Sequence, residues 1–196
     1  MPDNALLNML SGGDLRSDGM ADEVVRIVRR NPALFGDLYA GLAEEDDVVR
    51  GRTADALEKI ARSRPDLFLE RYHDLIHTAL VDPVAMVRWH IAMILGHLAF
   101  YEKLADESFE ALEKILEREK ELRDNNIFTL SWTISSLTIF GRLYPELKTE
   151  AILAISELQW SDSKAILTRV RMALETLSND SAPFPAGWSK SELINL

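Results

Sequence analysis

Along most of the chain apolar residues recur three and four positions apart, the spacing that lines one face of a helix, and the period-two alternation of a half-buried strand is missing. The densest pattern lies in residues 82–98, DPVAMVRWHIAMILGHL. There Val84, Val87, Ile91, Leu95 and Leu98 recur at helical spacing, and Ala92, Met93 and Ile94 leave little polar surface. This predicts a central helix with neighbours on several sides. Asp82 is placed to accept a hydrogen bond from a free amide and Pro83 suits a first helical position, so the helix is expected to begin there.

The rest of the chain divides around it. Residues 1–31 hold a short apolar segment at 5–10, a turn at Gly12 and Gly13, and a helix carrying Val24, Val25, Ile27 and Val28; they read as a divergent N-terminal cap. In 32–63, Leu34, Phe35, Leu38, Tyr39 and Leu42 predict one amphipathic helix, the acidic run Glu44, Glu45, Asp46, Asp47 ends it, and 48–61 supplies a second. The next unit, 64–100, opens on Arg64-Pro65-Asp66-Leu67-Phe68, an echo of Asn31-Pro32-Ala33-Leu34-Phe35 placed 33 residues earlier, which is a period of helical repeat arrays. Its first helix carries Tyr72, Leu75, Ile76 and Leu80, and its second is the central helix. Unit 105–143 pairs a charged helix over 107–122, closed by Asp124, Asn125 and Asn126, with an apolar one over 127–143. Unit 144–178 opens on Tyr144-Pro145-Glu146-Leu147, continues through 151–158, and ends with a helix introduced by Asp162. The segment 179–196, with Pro183, Pro185 and Gly187, predicts an irregular tail whose Phe184, Trp188, Leu193 and Ile194 can fold back as a lid.

Two of the second helices share a pattern. Val49-Arg50, Ala54 and Leu57 have the internal spacing of Val87-Arg88, Ala92 and Leu95, with Asp47 and Asp82 ahead of them. The pattern resembles the HEAT repeat, D-x-x-x-V-R-x-x-x-A-x-x-L, over residues 32–178. In the later units it departs from that form: after Asp124 the equivalent positions are Leu130, Ile134 and Leu137, while Arg169 and Ala173 remain in the last unit with Thr176 in place of leucine. The resemblance implies an all-α, right-handed α-α superhelix, a solenoid of about four to five helical hairpins. Asp and Arg at the start of each second helix would tie neighbouring units together, and Leu57, Leu75, Ile91, Leu95, Ile134 and Leu137 would be buried.

The resemblance also implies where a partner would sit, since in such arrays one side of the second helix faces a concave groove. With Arg50, Arg88, Leu130 and Arg169 equivalent, that side collects Arg52, Asp55 and Lys59, then His90, Met93 and His97, then Trp132, Ser135 and Ile139, and finally Arg171 and Leu174. This locally basic row with an aromatic and several apolar members suits a partner segment carrying acidic residues beside an apolar anchor.

Charge and composition narrow the function. The chain has 196 residues, 47% hydrophobic and 28% charged, the balance of a folded domain. A net charge of −10 works against nucleic acid and anionic membranes. With no cysteine there is neither a disulfide nor a thiolate site, and a reducing, cytoplasmic setting is expected. No apolar run has the length of a membrane span, so a membrane role is not expected. His73 and His77 have the i, i+4 spacing of a zinc pair, as in H-E-x-x-H, but Asp74 stands in the glutamate position and no third ligand follows; an exposed helix flank is the preferred reading, with no metal and no cofactor. No phosphate-binding glycine loop or activated serine is present, and the acidic run at 44–47 reads as a helix-initiating loop. The function expected is therefore a non-enzymatic scaffold or adaptor that binds another protein or peptide in the groove. The alternative is a nucleic-acid-binding or DNA-glycosylase-like HEAT protein, prompted by Trp89 and Trp132 on second helices.

Overall fold

The structure, a computed structural model, describes residues 4–122 and 126–196. Among them there are ten α-helices and no strand. Asp124 and Asn125 lie outside the described residues, while Asn126 caps the helix that follows.

Helix α1, Ala5–Leu10, starts where the Asn4 side chain accepts from the amides of Leu6 and Leu7 at 3.1 and 3.4 Å. Helix α2, Ala21–Arg30, carries Asp22 and Glu23 in its first turn and Arg29 and Arg30 in its last, each sign at the end of the helix dipole that favours it. The amphipathic helix expected over Leu34 to Leu42 is broken. Only α3, Phe35–Tyr39, is α-helical, with 3-10 turns at Pro32–Leu34 and Ala40–Ala43 on either side. Gly41 explains part of the break: a Cβ there would come within 2.3 Å of Thr53 Oγ1, so the chain trades helix propensity for close approach to the next helix.

That helix is α4, Asp47–Ala61, capped by Asp46. It is followed by a 3-10 turn at Pro65–Arg71 and α5, Tyr72–Val81. The central helix α6 spans Ala85–Leu98 and so begins later than Pro83. Asp82 does accept from an amide, that of Val84 at 2.7 Å, but it closes a turn ahead of the helix rather than capping a helix that starts at Pro83. Helices α7, Ala105–Glu121, and α8, Ile127–Leu143, follow. Then come α9, Lys148–Ser156, and α10, Lys164–Ser178, whose cap is Ser163 rather than Asp162. The prolines of the echo open short 3-10 turns, at Pro32, Pro65 and Pro145, where a missing amide and a fixed φ cost least.

Four helices make a row. α4 packs on α6, α6 on α8 and α8 on α10, while α5, α7 and α9 pack beside them. Contacts step forward along both members of each neighbouring pair, so the row runs in one direction: Gly51 meets Met86 and Glu58 meets His97; Trp89 meets Phe128 and Gly96 meets Ser136; Ser135 meets Arg169 and Gly141 meets Leu177. Leu57, Leu75, Ile91, Leu95, Ile134 and Leu137 are all fully buried. Polar ties join successive units: Arg50 Nε donates to Asp82 at 3.1 Å and Arg88 Nε to Glu119 at 2.5 Å. The apolar core runs without interruption from Leu6 to Ile194, so the N-terminal cap and the tail both belong to it.

Candidate binding face

Most of the row of side chains expected to line an open groove is covered. Arg52 is 3% exposed. Its guanidinium donates to the backbone carbonyls of Leu10, Gly12, Asp14 and Ser17 at 2.7–3.1 Å, so it acts as a plug that holds the N-terminal cap against α4. The loop that supplies those carbonyls turns on Gly12, Gly13 and Gly19, all with positive φ, and a Cβ at Gly19 would come within 2.8 Å of the Arg52 guanidinium. Arg52 is therefore corrected from a groove cation to a structural one.

The α4–α6 end is a closed network of charge. Asp55 is buried and accepts from Lys59 at 2.9 Å; Lys59, half-buried, also reaches Asp22 at 2.5 Å. Trp89 Nε1 lies 3.0 Å from His90 Nε2, and His90 Nδ1 lies 2.7 Å from Met86 O. Burial pushes the Asp55 carboxyl up, but the His90 ring at 3.3 Å and Lys59 at 2.9 Å outweigh it and hold the carboxyl below its ordinary value. One turn on, Glu58 is 1% exposed and accepts from Arg62 at 2.6 and 3.0 Å and from His97 Nε2 at 2.9 Å. Burial pushes its carboxyl up, but the hydrogen bonds from His97 and Arg62 outweigh that and hold it down at about 2. His97 and Met93 are buried as well.

The α8–α10 end is built differently. Ser135 and Ile139 are buried, Trp132 and Leu174 half-buried, and Arg171 exposed. Arg169, equivalent by sequence to Arg50 and Arg88, turns to the Trp132 ring, its Cζ 5.2 Å from the centroid, and donates to Ser131 O and Ser135 Oγ at 3.0 and 2.6 Å. Burial alone pulls its guanidinium down to about 10.

The tail covers the α8–α10 end of the face. Arg142 fixes its start by donating to the carbonyls of Thr176, Asp180 and Ala182 at 3.0–3.2 Å, and Lys148 pairs with Asp180 at 2.7 Å. A turn follows in which Trp188 N donates to Pro185 O, with Gly187 at φ 77°. Trp188, 6% exposed, lies 4.4 Å over the Arg169 guanidinium, and Lys190 Nζ lies 4.9 Å from the Trp132 centroid. Glu192 N then donates to Arg62 O at 2.7 Å, at the end of α4. The segment is irregular, as expected, and of the four lid residues Trp188 and Ile194 are buried, Phe184 is half-buried and Leu193 is exposed. Lys190 and the turn of Arg169 toward the tail had no periodic signal; the one available clue was a single lysine two residues after Trp188 in a proline-bearing segment.

His73 and His77 are both exposed, and His73 Nδ1 lies 3.0 Å from Glu107. Among the described residues no group of three or more metal-ligating side chains is clustered, and no helix is long and apolar enough to cross a membrane. No protein-family model matches the sequence, and no curated protein matches it either.

Proposed function

We propose that the chain is a right-handed solenoid of HEAT-like helical hairpins that works as a non-enzymatic scaffold, binding an extended segment of another protein across the row α4, α6, α8 and α10. The observation that carries this reading is the tail itself, an extended stretch seated from α10 to α4 through one buried indole, a cation on an indole and a backbone hydrogen bond. The forward step of contacts from each helix of the row to the next supports the solenoid, and the Arg50–Asp82 tie supports the HEAT-like unit. A reducing, cytoplasmic setting fits a chain without cysteine.

Selection of random displayed peptides on the immobilised full chain tests it. Enrichment of a motif whose binding is lost with Trp132→Ala is expected. Failure to enrich any motif would overturn the reading. The nucleic-acid or glycosylase-like alternative draws on the pairing of Arg169 and Lys190 with tryptophan. It is the weaker reading, because neutralising a phosphate backbone takes many cations and this chain has a net charge of −10.

A further inference from the structure

At the α4–α6 end Arg50 has Asp47 and Asp82, Lys59 has Asp22 and Asp55, Arg62 has Glu58 and Arg88 has Glu119, while the Arg52 guanidinium gives its N–H groups to backbone carbonyls. Arg169 has no counter-charge among the described residues. Its Nε and Nη2 bond to Ser131 O and Ser135 Oγ, Nη1 has no hydrogen bond to a described residue, and no carboxylate offsets the effect of burial on it. Lys190 is exposed, stands over the ring of Trp132 and makes no ion pair with a described residue. A protein of net charge −10 thus keeps two cations against one indole with no anion beside them.

The chemistry of that arrangement is specific. A guanidinium lying against indole rings holds its charge at the face and leaves N–H groups at its edge, where a carboxylate is matched in plane and in spacing. Apolar surface adjoins it: Phe184 meets Trp188 edge-on at 6.4 Å, and Met172, one turn along α10 from Arg169, is 37% exposed. Two cations suffice for a carboxylate and are too few for a phosphate backbone.

We propose that Trp132, Arg169, Trp188 and Lys190 form a docking site for an aspartate or glutamate side chain of an acidic protein segment, with an apolar neighbour of that residue resting beside Phe184. This rests on the protein-binding reading and gives its partner a chemical class. Since Trp188 and Lys190 belong to the tail, the site exists only while the tail is seated, and the tail is part of the receptor rather than a competitor for this position.

The test titrates the full chain with end-blocked peptides of alternating Glu and Leu, with the same peptides carrying Gln for Glu, and with oligothymidylate of equal charge. Tryptophan emission and titration calorimetry are the readouts. The Glu peptide should bind, the Gln peptide about tenfold or more weaker, and oligothymidylate not measurably, as a charge-assisted hydrogen bond requires. Arg169→Gln should weaken the Glu peptide about tenfold and Lys190→Gln about threefold, the latter with an unchanged melting temperature because the residue is exposed. Glu and Gln peptides binding equally would overturn the acidic class and leave the protein-binding reading standing. Glu-peptide affinity unchanged in Lys190→Gln and in any folded Arg169→Gln would overturn the site, and tighter binding of oligothymidylate would overturn the proposal in favour of nucleic acid.

Discussion

The two ends of one helical face solve the same problem in opposite ways. At the α4–α6 end, buried charge is cancelled by charge: Glu58 lies between Arg62 and His97, and Asp55 against Lys59. At the α8–α10 end, Arg169 is placed among two indoles, a hydroxyl and a carbonyl, and no anion reaches it. The first arrangement pairs each buried carboxylate with its own donors and leaves, among its members, only the buried His97 Nδ1 without a hydrogen bond to a described residue, so it fixes how two helices meet. The second leaves a charge whose field is unspent, and aromatic faces hold it in place without neutralising it. Burial acts on both, yet it ends with Glu58 held at about 2 and Arg169 pulled down to about 10, the former favouring its ion and the latter penalising it.

The comparison breaks most readily at Glu58. Glu58→Ala leaves Arg62 and the almost inaccessible His97 facing a void, and breaking such a buried pair from one side costs about 3–5 kcal/mol. Urea unfolding should show it as a lower midpoint with little change in slope; a midpoint within error of the parent would mean the network is decorative. Acid should act on the same group. Glu58 titrates lower in the folded chain than its ordinary 4.5, so its stabilisation is complete above that value and is lost as pH falls toward about 2. The loss is roughly 3 kcal/mol at the bottom of that window. Glu58→Gln should flatten this part of the stability–pH curve, and a curve of unchanged shape would assign the acid sensitivity elsewhere.

The other end should respond less. Arg169→Ala removes two cation–π contacts and three hydrogen bonds from a half-buried site, a cost of roughly 1–2 kcal/mol. Its urea midpoint should fall by less than that of Glu58→Ala; a drop as large as that of Glu58→Ala would contradict it. Lys190→Gln should be the mildest, within about 0.5 kcal/mol, as exposed substitutions usually are, and a clear drop in the thermal midpoint would show that Lys190 is structural.

Much of the fold was legible because helical periodicity is local. The bounds of α8 and the burial of Ile91, Leu95, Ile134 and Leu137 follow from spacing alone. The Arg50–Asp82 tie was legible from two charged residues at equivalent helix starts. What spacing does not carry is what lies on top of a face. Arg52 is buried by carbonyls from a glycine-bearing loop, and the α8–α10 face is covered by a tail with no period; both covers come from more than thirty residues away in sequence, or from segments whose backbone is irregular. A helix wheel assigns a side chain to a side and is silent about its occupant. The break of the helix at Gly41 was illegible for a related reason, because the glycine answers to Thr53 across a packing contact rather than to its own neighbours.

The hydrogen bond from Glu192 to Arg62 alters how the molecule comes apart. A row of helices in which each meets only its neighbours unzips from either end, and its outermost member opens at the cost of a single interface. Here the last segment returns to the fourth helix, so the row is joined into a loop. Fraying of α10 then pulls on α4, while α1, α2 and α3 lie outside the loop. The strap turns the chain of couplings from α4 to the tail into one cooperative unit, and heat should melt that row in one step, with the same midpoint at α4 and at α10.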